Sequence, residues 1–252
     1  MKIDFPVPKQ YPQLTKLWQE VFGDTEEFVD GYFCTAFSPS RCRCVTINRK
    51  VVAALHWMEV RCEGQRFAYL YALAVTPSRQ KKGIGRALME DFHSHAALRG
   101  YDGVLLVPQD ESLRQMYEKM GYRSCTTVTE FPAQAAPMEL SLQRIDREEY
   151  GRLRQGLLPA GAAVEDEENI AFLETMAFFY RGEDLLLAAH VDNGKLWCPE
   201  YLGDPAKAPG VLAALNCAEG RFRTPGDKSP FAMFLPLEED ARAPRHLAYA
   251  FD

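Results

Sequence analysis

Apolar residues recur along the first half of the chain at two periods, and each change of period marks a change of element. Leu14, Leu17 and Val21, then Phe28, Tyr32 and Phe33, fall at helical spacing and predict helices over about 11–22 and 25–36, after an opening strand near 1–6. The pattern then shortens to that of strands over about 42–49, 51–62 and 66–75, the first two joined by a tight turn at Asn48-Arg49-Lys50. Ile84, Leu88, Phe92 and Ala96 repeat every four residues and predict a helix over about 83–99, stopped by Gly100. The run "GVLLVP" at 103–108 reads as the parallel partner strand of a right-handed βαβ unit. In 110–123, Leu113, Met116, Tyr117 and Met120 lie on one helical face that Gly121 terminates. "YRSCTTVTEFP" is expected to continue the sheet to about residue 131, and "PAQAAP" at 132–137 reads as a linker.

After the linker the pattern starts again. "MELSLQRIDREEYGRLRQGLL" echoes the opening of the chain, with Tyr150 and Leu153 spaced like Tyr11 and Leu14. A helix around 166–179, strands near 184–191 and 195–203, a helix near 208–219 and strands near 230–235 and 246–251 follow. The order is that of a shortened copy of the first half. An unrelated α+β extension is the alternative.

Chemistry concentrates at one strand-to-helix junction, "VTPSRQKKGIGRAL", residues 75–88. The first amides of a helix lack partners and carry the positive end of its dipole, so a glycine-rich entry of this kind suits a phosphorylated ligand. A nucleoside triphosphate loop is excluded because Gly85 is followed by Arg86 and Ala87 rather than by lysine and a hydroxyl residue. A dinucleotide fingerprint fits poorly: Leu88 stands where a third glycine belongs, and Thr76 to Lys82 separate the strand from the first glycine.

What remains, Gln80-Lys81-Lys82-Gly83-Ile84-Gly85 after the strand end Leu73-Ala74-Val75, resembles the pyrophosphate loop of the GNAT superfamily of acyl-CoA-dependent N-acetyltransferases. The segment 110–123 is similar to a second hallmark of that family, N-x-x-A-x-x-x-Y-x-K-x-G-F, through Tyr117, Lys119, Gly121 and Tyr122, with Asp110 in place of the asparagine and Ser112 in place of the alanine. The resemblance implies a mixed α/β (α+β) GNAT fold, a central mixed sheet flanked by helices, here duplicated: an acetyltransferase domain over 1–131 and a degenerate GNAT-like domain over 138–252 that lacks the loop. It implies acetyl-CoA as co-substrate, held by Leu73, Ala74 and Val75 through the backbone, by Gln80, Lys81, Lys82, Gly83, Ile84, Gly85 and Arg86 at the diphosphate, and by Asp110 near the pantetheine arm.

By the same resemblance an amine attacks the thioester directly, a backbone N–H of the strand stabilises the oxyanion, and Tyr117 protonates the departing thiolate. Free phenol and thiol lie within about two pKa units. A non-catalytic acyl-CoA-binding or interaction protein of the same fold is the alternative. The general base is not readable: His56, Glu59 and water are the candidates. Tyr69, Tyr71 and Trp57 suggest an aromatic-walled acceptor pocket, with an ordinary core as the competing reading.

Composition narrows the setting. Of 252 residues 47% are hydrophobic and 25% charged, and the net charge of −6 argues against a nucleic-acid partner. No apolar stretch is long enough for a membrane helix and "MKIDFPVPKQ" lacks a signal peptide's apolar region, so a cytoplasmic monomer or homodimer is expected. Seven scattered cysteines form no metal or disulfide pattern, and Cys42 and Cys44 read as small buried hydrophobes; no metal is expected. His93 and His95, two apart on a helix, cannot face one ion. The acidic run 165–170, "EDEENI", reads as a solvated loop or helix start, or as a feature favouring a cationic amine.

Overall fold

The computed structural model of the chain describes residues 1–165 and 167–247. Two compact units emerge, one of Met1–Arg123 with Phe234–Ala243 and one of Ser124–Met233 with the residues from Pro244 on.

In the first unit the elements run β1 (Lys2–Asp4), α1 (Tyr11–Phe22), α2 (Glu26–Thr35), β2 (Cys42–Ile47), β3 (Lys50–Cys62), β4 (Gln65–Val75), α3 (Ile84–Leu98), β5 (Gly103–Leu106), α4 (Glu111–Glu118) and β6 (Arg123–Ser124). The periodicity located these within a few residues, and the local reasons are visible. Gly23 ends α1 with φ 77°, the Thr25 hydroxyl caps α2 by accepting from the Phe28 amide, and Asn48 and Arg49 turn β2 into β3 with φ 49° and 65°. Strands β1 to β4 form an antiparallel meander, and β5 joins β4 in parallel. Leu14 and Leu17 of α1 are buried with Cys42, Cys44, Ala54 and Ala74 on one face of the sheet. On the other, Phe92 of α3 packs against Trp57 at 5.0 Å between ring centroids. Strand β3 is buried from Val51 to Val60 because helices cover both of its faces.

The second unit contains β7 (Thr127–Gln134), β8 (Gln143–Ile145), α5 (Arg147–Leu157), β9 (Val164–Glu165), α6 (Glu167–Glu174), β10 (Phe178–Arg181), β11 (Leu186–Asp192), β12 (Lys195–Leu202), α7 (Ala208–Ala214), β13 (Glu219–Pro225) and β14 (Ser229–Pro230). Its sheet runs β14-β7-β13-β12-β11-β10-β8, with the β12–β13 pair parallel and its other ladders antiparallel. The repeat of meander plus parallel strand is that of the first unit, so the fold is duplicated. Strands β10 and β13 were not anticipated, since the helices expected over 166–179 and 208–219 stop at Glu174 and Ala214.

One expectation is corrected. The segment after Tyr122 does not carry the first sheet on to residue 131: β7 pairs with β13 and β14 in the second sheet. The place beside β5 is taken by β15 (Met233–Pro236), giving the order β1-β2-β3-β4-β5-β15-β6. Compactness therefore cuts the chain at Arg123, ahead of the linker; of that linker, residues 132–134 are strand. The strand expected over 246–251 falls from residue 248 onward outside the described residues.

Candidate active site

Strand β4 is longer than its parallel partner. The β4–β5 register runs from Phe67↔Gly103 to Leu70↔Leu106, and β4 then continues alone on that side to Val75. Just there the β3–β4 ladder is irregular: His56 faces Ala72 and Trp57 faces Leu70, leaving Tyr71 as the extra residue of a bulge. The backbone of Ala72, Leu73, Ala74 and Val75 thus presents an edge without a β5 partner, beginning at a kink. Such an edge offers main-chain donors and acceptors to an extended ligand.

The chain leaves β4 through a short 3-10 turn, Pro77–Arg79, and enters α3 at Gly83. Residues 77–83 are exposed. Lys81 and Gly83 both have positive φ, 57° and 78°, and a Cβ built on Gly83 would meet nothing within 4 Å. An open backbone whose amides head a fifteen-residue helix is the physical requirement for holding a diphosphate. The side chains of the loop serve it in different ways. Gln80 Nε2 donates to the Val75 carbonyl at 3.1 Å and Lys82 Nζ to the Ser78 carbonyl at 2.8 Å, so both staple the turn, while exposed Arg86 pairs with Glu90. Ile84 is buried, and a Cβ added at Gly85 would meet the Val75 side chain at 3.5 Å, ordinary van der Waals contact.

Asp110 immediately precedes α4 and Tyr117 lies on it. The Asp110 carboxylate caps the helix, accepting from the Leu113 amide at 2.8 Å. Tyr117 is buried against Tyr122, whose hydroxyl is 2.8 Å from His93 Nε2 of α3. Burial pushes the Tyr117 phenol up to about 12. Its distance from a thiol is then wider than the two units expected of the free groups, and the proton is held at every physiological pH.

Neither named side chain is a ready base. His56 is buried among Trp18, Tyr32, Phe33 and Phe37, and desolvation holds its pKa down at about 3. Glu59 is desolvated, which raises its pKa, but hydrogen bonds from Arg66, Tyr101 and Arg61 outweigh this and leave it below the usual range. It is a structural anion. Two of the three aromatics expected to line one pocket are separated by the sheet: Tyr71 packs on Trp18 and Tyr32 from α1 and α2, whereas Trp57 packs on Phe92 and His95 from α3. Tyr69 is buried. What the sequence did not reveal is the clustering of Trp18 with Tyr32 and Phe33, the latter two read there only as a helix's apolar face.

Residues 3–125 match the family described as acetyltransferase (GNAT) domain. Similar solved structures include a GCN5-related N-acetyltransferase from Kribbella flavida, at 17% identity and TM-score 0.68 over 92% of this chain and 70% of that one. Another, a GCN5-related N-acetyltransferase from Anabaena variabilis, is 14% identical with TM-score 0.71 over 94% and 73%. A tandem GNAT protein from the clavulanic acid biosynthesis pathway is 14% identical with TM-score 0.59 over 95% and 100%. At these identities the likeness is one of fold. No curated protein matches the chain.

Proposed function

Because the first half of this chain, residues 3–125, belongs to the GNAT acetyltransferase family and the whole has the tandem GNAT fold, we propose that it transfers the acetyl group of acetyl-CoA to a primary amine of a small molecule or a peptide amino terminus. The observation that carries the reading is the unpartnered edge of β4 from the bulge at Tyr71 to Val75, leading into the open glycine loop at 80–86. The edge would take the pantetheine arm through backbone hydrogen bonds at Leu73 to Val75. The amides at the start of α3, with Lys81 nearby, would take the diphosphate.

The amine nitrogen attacks the thioester carbonyl carbon; the C–N bond forms, the C–S bond breaks, and the products are an amide and CoA thiol. The amine's surplus proton leaves to water, since His56 is neutral and enclosed and Glu59 is ion-paired. The thiolate receives a proton from Tyr117, which regains one from water and so balances the proton the amine released. Desolvation of the sulfur in the same slot raises the thiol as it raises the phenol, which narrows the gap between them. The engagement of Glu59 and the low basicity of His56 also favour a second reading, a GNAT-fold protein that binds acyl-CoA without turnover.

Thiol release from acetyl-CoA in the presence of a panel of primary amines tests the proposal. Turnover with at least one amine, with Tyr117→Phe lowering kcat more than it changes acetyl-CoA affinity, is the expected result. Tight acetyl-CoA binding with no thiol release for any amine would establish the second reading instead.

A further inference from the structure

The bulge that opens the β4 edge also selects which side chain stands at its inner end. Tyr71 is the extra residue of the ladder, half-buried, one position before Ala72 and Leu73, which have no β5 partner. Its ring lies 5.5 Å from Trp18 of α1 and 5.5 Å from Tyr32 of α2. Phe33 joins the same group at 6.4 Å from Trp18 and is itself only half-buried. These rings are fixed rather than loose. Trp18 Nε1 donates to Asp24 Oδ2 at 2.7 Å just past the end of α1, and the indole is tilted against Tyr32 at 4.9 Å. His56 sits among them with its Nδ1 buried and without a hydrogen-bond partner among the described residues, and as a neutral imidazole it adds a flat ring rather than a charge.

In the reading proposed above, the diphosphate lies at Gly83, close to the Val75 end of β4, so the arm runs back along the strand and its acetyl end comes to the Tyr71 end. The acceptor amine must then approach beside these rings. We propose that the acceptor is an amine carrying an aromatic body, seated against Tyr71 and Phe33 with Trp18 and Tyr32 behind them. This rests on the acetyl-transfer reading for the direction of approach. The chemistry of the wall supplies the rest: offset and edge-on ring contacts favour a flat apolar partner, and the π faces tolerate an ammonium arriving beside it. A polyamine or a lysine side chain gains far less from such a surface, having methylenes where the wall offers rings.

The test uses the full chain, 2-phenylethylamine and n-butylamine. Both amines are titrated calorimetrically in the presence of CoA, and their kcat/KM values are measured by thiol release from acetyl-CoA. The aryl amine is expected to be preferred by tenfold or more in both measurements. Tyr71→Ala should collapse that ratio toward one and Tyr71→Phe should keep it, with cooperative thermal unfolding as the control that each variant is folded. Equal use of the two amines by the unaltered chain, absence of binding by either, or a preference that survives Tyr71→Ala would overturn the proposal. Preferential, Tyr71-dependent binding of the aryl amine without thiol release would uphold it while removing the catalytic reading.

Discussion

Gly83 takes φ 78° with open space where its side chain would be, so the position tolerates volume but not an ordinary backbone preference. An L-residue there costs on the order of 1–2 kcal/mol. A carboxylate adds repulsion at the place a diphosphate must occupy. Gly83→Asp is therefore expected to weaken acetyl-CoA binding by tens-fold or more in calorimetry, while lowering Tm by only the few degrees that the backbone strain costs; unaltered affinity would remove the loop from the binding site. The motif spacing alone located this residue and its neighbours. It did not reveal what Gln80, Lys82 and Asp110 do in the folded chain, because each bonds to its own turn or helix end and such bonds depend on φ and ψ, which residue type fixes only loosely. The phenol of Tyr117 was legible as a candidate proton donor, but its elevated pKa belongs to the packing of Tyr122 and could not be read from helical spacing.

At the scale of elements, what periodicity carries well is a face, and what it carries badly is a partner. The apolar faces of α1 and α3 and the alternation of β2 to β4 led directly to the meander and the βαβ unit. Strand β13 was missed because Arg221-Phe222-Arg223 sets one aromatic between two arginines and carries little apolar signal, although Phe222, Arg223 and Thr224 are all buried. The exchange of β7 for β15 lay beyond reach for a different reason: a strand's pattern says that one face is buried, not which sheet buries it. The bulge at Tyr71 is likewise a property of register. Gly103 shows how closely β15 must fit. A Cβ added there would overlap the Phe234 ring and come within 2.9 Å of the Leu235 carbonyl. Gly103→Ala should accordingly destabilise the chain by about 1–3 kcal/mol, an overpacking cost, measured as a lower urea midpoint. If the midpoint held, β15 would have to sit less tightly against β5 than the structure has it.

Across the whole molecule, the two modules repeat one geometry and fill it differently. In β12, as in β4, the parallel pairing stops short, at Cys198↔Phe222, and the ladder to the preceding strand is irregular just beyond. Counted from the last parallel pair, Glu200 stands where Ala72 stands in the first module. Where the first module leaves an open edge, the second has a buried ionic network: Glu200 accepts from Tyr150 and from Arg154 at 2.7 and 3.0 Å, and Arg154 also meets Glu165 at 2.5 Å. Glu165 is thus not the solvated start of an acidic run; it is enclosed with His246 nearby in the network, whose own pKa burial lowers to about 4. One arginine cannot neutralise two carboxylates at full charge in so buried a site, and desolvation, with Glu200 opposing ionisation and Arg154 favouring it, raises Glu165 from 4.5 to about 7. The folded chain then holds the Glu165 proton more tightly than the unfolded chain does. That contribution to stability is complete below about pH 4.5 and is lost as pH rises to about 7, amounting to about 3 kcal/mol across the window. Glu165→Gln carries the equivalent of that proton at every pH. Other groups, His246 among them, titrate in the same range in both proteins, so the informative quantity is the difference in Tm between the variant and the unaltered chain. It should move in favour of the variant by several degrees between pH 5 and pH 8. A difference independent of pH would mean that Glu165 is ionised throughout and that the network carries its full negative charge into the core.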